Sequence, residues 1–222
     1  MLAQVGMVVF GYLLGAISFA YLIARLWRGI DLREYGSRKL SGSNVYHQVS
    51  PWATVVVGIL DLLKGMVPTW FALRWGLGEV TAVETGLAAM IGHNWSIFMG
   101  FQGGRGIGTA LGALFVLFPW GSAWLLGWLV VGRAVPKMAA VPALLGFVSL
   151  PLLAIILGQS SEVIWGCVEM LGVIVLKRLE ANREPLPQGG ERWKVLFRRL
   201  LLDRDIADFD AWMQRHPEKQ NG

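Results

Sequence analysis

The most chemically suggestive stretch of this 222-residue chain is Gly92-His93-Asn94-Trp95-Ser96-Ile97-Phe98-Met99-Gly100-Phe101-Gln102-Gly103-Gly104-Arg105-Gly106-Ile107-Gly108-Thr109. An apolar, helix-like segment gives way to glycines around a single arginine, and apolar helix then resumes. Gly103, Gly104 and Gly106 would let backbone N–H groups approach a ligand closely. A helix starting near Ile107 aims its positive end at the same spot, and Arg105 offers a planar cationic fork. Such a donor set suits a phosphate. The same composition also fits a tight turn between membrane helices with one topogenic arginine, so the other loops must separate the two readings. On either reading Arg105 is expected on a surface loop, replaceable without unfolding the protein.

A second candidate lies at Tyr35-Gly36-Ser37-Arg38-Lys39-Leu40-Ser41-Gly42-Ser43-Asn44-Val45-Tyr46-His47. Ser37, Ser43 and Asn44 supply hydroxyl and amide donors, and Arg38, Lys39 and His47 supply cations. That is a plausible anion site, although Ser, Gly and Asn are also ordinary loop residues. Asp61 and Lys64 stand three apart on one helical face, about halfway along an apolar segment. Ionisable groups there must pair and turn inward, which favours a structural ion pair bordering the site. His93 has the ordinary pKa of a general base, but a lone histidine beside a loop more often hydrogen-bonds it. Glu84 and Glu169 carry no stronger reading. No Ser-His-Asp arrangement is visible, and the single cysteine, Cys167, lies in an apolar segment, so no cysteine-based metal site or cofactor is expected.

Positioning these loops falls to membrane helices. Hydrophobic residues make up 55% of the chain and charged residues 16%, and the 11 tryptophans suit membrane interfaces. The net charge of +5 gathers at residues 25–39 and after Lys177, which points to an anionic membrane face and not to nucleic acid. Apolar runs at 3–24, 52–75, 80–101, 138–157 and 162–177 read as five spans. Residues 107–132, divided at Phe118-Pro119-Trp120-Gly121, read as a helical hairpin that dips in and returns. The expected fold is all-α and polytopic, with about seven helical segments. Its N-terminus is outside, and every Lys and Arg except Lys64 and Arg74 lies on the cytoplasmic face.

After Lys177 the composition turns soluble. Residues 1–183 are expected to form the membrane domain and 184–222 a cytoplasmic tail. In that tail Trp193, Leu196, Phe197, Leu200 and Leu201 oppose Arg192, Arg198 and Arg199, a basic amphipathic helix expected to lie on the anionic inner leaflet. Docking of the tail on the protein's own loops is the weaker alternative.

Taken together, Gly36-Ser37, Gly42-Ser43-Asn44, Asp61-Leu62-Leu63-Lys64-Gly65 and Gly92-His93 through Gly103-Gly104-Arg105-Gly106 and Thr109 resemble the bacterial acyl-phosphate-dependent glycerol-3-phosphate acyltransferases, over about residues 5–180. The resemblance implies an inner-membrane enzyme with its motif loops at the cytoplasmic face. Such an enzyme moves a fatty acyl group from acyl phosphate to the 1-hydroxyl of glycerol 3-phosphate without metal or acyl carrier protein, giving lysophosphatidate and inorganic phosphate. Gly103, Gly104, Arg105 and Gly106 would hold one phosphate. Ser37, Ser43 and Asn44, with Arg38, Lys39 or His47, would hold the other substrate, and His93 or the donor phosphate would take the proton. The chain departs from the family where Arg38-Lys39-Leu40-Ser41 replaces Gly-Asn-x-Gly, His47 replaces Arg and Arg105 replaces Lys. The third motif is reduced to Lys177–Arg183, with Asn182 as its amide. A membrane carrier of a small phosphorylated anion and a non-catalytic paralogue binding lipid precursors are the competing readings.

Overall fold

The computed structural model describes residues 1–135 and 137–216. Pro136 and the end of the expected tail, residues 217–222, lie outside the described residues. Those described form helices and no strands.

The first apolar run is two helices. α1 (Leu2–Ala16) and α2 (Phe19–Arg28) meet at a break where Ile17 is extended and Ser18 caps α2 through the Tyr21 N–H. Carbonyls freed by a break inside an apolar bundle need donors. Two side chains supply them, Ser96 Oγ to the Ala16 carbonyl at 2.6 Å and Lys64 Nζ to the Ile17 carbonyl at 3.0 Å. The break is therefore stitched to the two segments that carry the candidate chemistry.

A short helix, α3 (Gly42–Gln48), follows the first loop, where no helix was expected. α4 (Pro51–Arg74) is the longest unbroken helix, and α5 (Glu79–Asn94) ends seven residues before the expected end of its span at 101. The remainder, from Trp95 to Arg105, is a 3-10 turn (Ile97–Met99) and irregular backbone held by the Phe101 N–H to Ser96 carbonyl bond at 2.8 Å. α6 (Ile107–Leu117) and α7 (Pro119–Ala134) then pack on each other, divided at Phe118. α8 (Ala140–Ile156), α9 (Ser161–Glu180), α10 (Glu191–Leu202) and α11 (Phe209–Met213) complete the order. By length and composition, two stretches, 2–28 and 51–74, could each cross a bilayer on their own.

Both ends of the α6/α7 pair lie on one face. Arg105, just before α6, bonds Asp203, while Arg133 at the end of α7 reaches the Tyr46 hydroxyl and Lys137 pairs with Asp210. α6 and α7 thus form a helical hairpin.

α5 is central, packed by α1, α4, α6 and α9. The main core gathers Met90, Leu114, Phe118, Phe147, Leu150, Met170 and Ile174, with Cys167 buried among them. Small residues set the helix spacing. At Gly112 a Cβ would stand 1.9 Å from the backbone carbonyl oxygen of Leu62, so α4 and α6 cross at backbone contact. Outward-facing Ile59, Phe115, Leu126, Val130, Leu152, Ile156 and Trp165 remain exposed, as expected of surfaces that meet lipid and not water.

Candidate active site

Two loops and the tail converge at one end of the bundle. The first loop is shaped by Asn44, which is fully buried. Its side-chain N–H groups donate to the carbonyls of Leu32, Tyr35 and Lys39 at 3.3, 3.0 and 3.1 Å, and its carbonyl accepts the Ser37 N–H at 3.2 Å. One amide thereby replaces the ladder that an irregular backbone lacks. Sequence reasoning set Asn44 against a ligand; here its hydrogen-bonding groups serve the loop. Ser37 is buried and accepts the Lys39 N–H, Ser43 is exposed, and His47 packs edge-on against Tyr46 and Phe209.

The glycines of the second loop act differently from expectation. A Cβ on Gly103 would lie 2.2 Å from the His93 carbonyl oxygen, and one on Gly104 would lie 2.1 Å from His93 Nε2. The Gly103 N–H goes to Asn182 Oδ1 at 3.4 Å and the Gly104 N–H to the His93 carbonyl at 3.2 Å. Gly103 and Gly104 therefore let the loop press onto the end of α5 and onto Asn182, and their amides are not left for a ligand. Gly106 caps α6 with a left-handed backbone, φ 70°.

Arg105 is not a surface-loop residue. It is 6% exposed, donating from Nε to Asp203 Oδ1 at 2.7 Å and from Nη1 to the Lys177 carbonyl at 3.2 Å. Lys39 reaches the same carboxylate, with Nζ 2.7 Å from Asp203 Oδ2, and lies over the Trp212 ring at 4.6 Å. Burial pulls Lys39 down to about 7, with Arg105 adding to the effect, and the nearness of Asp203 does not restore it. Burial also opposes the charge of Asp203, but Arg105, Lys39 and Arg178 outweigh it and hold that carboxyl at about 2. Arg38 pairs with Glu184 at 3.2 Å.

Beneath the loops, Asp61 Oδ1 lies 2.8 Å from Lys64 Nζ and 3.6 Å from His93 Nδ1. The expected ion pair is thus present, with His93 as its third member. His93 Nδ1 faces Asp61, and Nε2 lies on the side of Gly104, where the lack of a side chain leaves it room.

Beside this cluster opens a polar cavity of about 370 Å³, lined by Arg33, Glu34, Arg38, Gln102, Asn182 and Glu184. Asn182 was the one recognisable residue of the last motif. Residues 181–183 all adopt left-handed backbone, which turns the chain after α9 and lays Asn182 on Gly103, where its Nδ2 also donates to the Gly103 carbonyl at 3.2 Å.

The tail docks on the protein's own loops. Arg199, assigned from the sequence to the solvent-facing side of its helix, is 2% exposed; it binds Asp205 at 2.5 Å and the Leu179 and Glu184 carbonyls at 3.1 and 2.8 Å. Gln48 donates to the Met213 carbonyl at 2.9 Å, and Arg215 Nε to the Gly36 carbonyl at 3.0 Å. Trp193 and Phe197 point outward, 74% and 63% exposed. Asp203, Trp212 and Arg215 were missed because the tail was read as separate from the membrane domain. The available signal was Asp203-Arg204-Asp205, an acidic pair closing an otherwise basic helix.

Comparison with known proteins gives one answer. Residues 5–189 match the family model described as glycerol-3-phosphate acyltransferase. Glycerol-3-phosphate acyltransferase 5 of Dehalococcoides mccartyi is 33% identical over 216 residues, covering 95% of this chain and 92% of that protein. The glycerol-3-phosphate acyltransferase of Chromobacterium violaceum is 32% identical, covering 83% and 91%. Among solved structures, the glycerol 3-phosphate form of PlsY, an integral membrane glycerol 3-phosphate acyltransferase, superposes with a TM-score of 0.74 at 30% identity, covering 88% of this chain and 99% of that one. Its lysophosphatidic acid form gives 0.73 at 30% identity, covering 82% and 90%.

Proposed function

This chain belongs to the glycerol-3-phosphate acyltransferase family and is an acyltransferase of phospholipid synthesis, and from that premise we propose which of its residues handle the two substrates. The donor is acyl phosphate, whose phosphate takes the place between Arg105 and Lys39. The observation that carries this reading is the convergence of these two buried cations on a single carboxylate, each at 2.7 Å, beside the N-terminus of α6. Cations held out of water bind anions more strongly than solvated ones.

Glycerol 3-phosphate enters the adjoining polar cavity, where Arg33, Arg38 and Asn182 meet its phosphate and hydroxyls. Ser37, at the wall shared with Arg105, orients the attacking 1-hydroxyl. Attack on the acyl carbonyl forms the new ester and expels phosphate, which is a good leaving group. Holding two anions apart while aligning the hydroxyl is therefore most of the catalytic task. The proton passes to the departing phosphate, which lies beside the attacking hydroxyl and gains basicity as its bond to the acyl carbon breaks. His93 instead supports the loop from below, together with Asp61 and Lys64. Ser43, Asn44, His47 and the three glycines act through the fold of the loops.

The membrane is the bacterial inner membrane, with the N-terminus outside and the loops and tail in the cytoplasm. Trp193 and Phe197, flanked by Arg192 and Lys194, touch the anionic leaflet while the opposite face of α10 packs on α8 and α9. An Arg133→Cys variant is expected to react with an impermeant thiol reagent from the cytoplasmic side; labelling from the opposite side alone would overturn this orientation.

Purified protein given acyl phosphate and glycerol 3-phosphate is expected to release inorganic phosphate and form lysophosphatidate in equal amounts. If phosphate release does not depend on glycerol 3-phosphate, the acceptor assignment fails. If acyl phosphate supports no turnover, the donor assignment fails.

A further inference from the structure

The cation pair that we assign to the donor phosphate already holds a ligand, and that ligand belongs to the chain. Asp203 stands just beyond α10 with a left-handed backbone, φ 56°, and its carboxylate forks between Arg105 Nε and Lys39 Nζ. The space left among Ser37, Lys39, Arg105, Asp203 and Trp212 is about 20 Å³. That is room for about one water, and a phosphate, with its oxygens set around phosphorus, needs the place that the carboxylate fills. A carboxylate offers two negative oxygens at hydrogen-bonding distance, as a phosphate would, but only a single charge. Lys39 also donates to the Asp203 backbone carbonyl, and the rest of the tail is fastened elsewhere, through Arg199 to the Leu179 carbonyl, Gln48 to the Met213 carbonyl and Arg215 to the Gly36 carbonyl. Release of Asp203 therefore does not require release of the whole tail.

We infer that Asp203 is a tethered competitor for the phosphate site. It holds Lys39 and Arg105 together while the site is free of substrate, and a phosphate-bearing ligand must displace it to bind. This inference rests on the reading of Lys39 and Arg105 as the phosphate site. A dianion keeps Lys39 protonated and attracts Arg105 more strongly than a monoanion does, so the tail acts as a charge filter: acyl phosphate or inorganic phosphate displaces it, and a free fatty acid, with one carboxylate, does not. Seating of Asp203 also lowers the fraction of protein competent to bind, which weakens the apparent affinity by the same factor.

Steady-state kinetics on the full chain test this. Asp203→Asn keeps the shape and removes the competing charge. It is expected to lower the KM for acyl phosphate and the inhibition constant for inorganic phosphate together, by about tenfold if the seated state predominates at about 90%, with kcat unchanged or raised. A KM that stays the same or rises, in protein of wild-type melting temperature, would overturn the inference. Failure of the underlying assignment looks different, since Arg105→Ala would then retain wild-type kinetics. A second measurement does not depend on the Asp203 variant folding. A spin label at the exposed position 207, introduced as Ala207→Cys between Asp203 and the anchor at Met213, is expected to gain mobility with inorganic phosphate and not with chloride at equal ionic strength. A label indifferent to phosphate, or equally mobilised by chloride, would count against displacement.

Discussion

Arg105→Ala is expected to lower kcat/KM for phosphate release by roughly 10² to 10³, the equivalent of about 2–4 kcal/mol for losing a charge-assisted donor in a partly water-excluded site. The residue is 6% exposed and bonded to both Asp203 and the Lys177 carbonyl, so its removal also loosens the tail and the end of α9. A folding control is required because Arg105 is packed and not free on a surface. The melting temperature of the detergent-solubilised variant should fall modestly, since the tail keeps its anchors from Arg199 to the Leu179 carbonyl, from Gln48 to Met213 and from Arg215 to Gly36. Arg105→Lys should recover much of the rate, because a point charge still attracts phosphate, but not all of it. A lysine cannot hold Asp203 or phosphate on one side and the Lys177 carbonyl on the other in the same planar geometry. Wild-type turnover by Arg105→Ala at equal folded concentration would remove this loop from the site.

Asp61→Asn alone is expected to be among the most destabilising single changes in the chain. It strands Lys64, 2% exposed, in the bundle and removes the group facing His93 Nδ1, a loss of about 3–5 kcal/mol for a buried pair broken on one side. The double variant Asp61→Asn with Lys64→Gln should be less damaging than Asp61→Asn by itself, giving a coupling of about 1–3 kcal/mol in a double-mutant cycle of thermal unfolding. Full rescue is not expected. Lys64 Nζ also donates to the Ile17 carbonyl at 3.0 Å, so a shorter amide at position 64 leaves the break between α1 and α2 less well served. Additive effects would show that the two charges stabilise the bundle independently. Loss of activity without loss of stability would move Asp61 from support to chemistry.

The periodicity of apolar residues, and the sparseness of charges among them, determined the helical membrane class, the hairpin division at Phe118-Pro119 and the pairing of Asp61 with Lys64. These are local properties: a residue's position along a helix and its transfer cost are set by its own chemistry and nearest neighbours. The combination of Gly36-Ser37, Gly92-His93 and Gly103 to Gly106 was also sufficient to identify the family. Side-chain partners across long separations were decided only in the tertiary structure. Position in sequence could not indicate that Ser96 and Lys64 close the gap in the first span, since Gly15 and Ser18 beside the break are as usual inside a packed membrane helix as at its end. Nor could composition reveal that Gly103 and Gly104 make room for His93 and that Asn44 spends its amide on loop backbone, because glycine and asparagine serve ligands and tight turns alike. The tail shows the difference most clearly. Arg199 reads as a solvated charge on a basic helix, yet it is buried against Asp205 and the Leu179 carbonyl, and Asp203 just beyond it is drawn in by Arg105 and Lys39 on distant segments. Burial of a charge depends on what the fold sets opposite it, and only the folded chain supplies that partner.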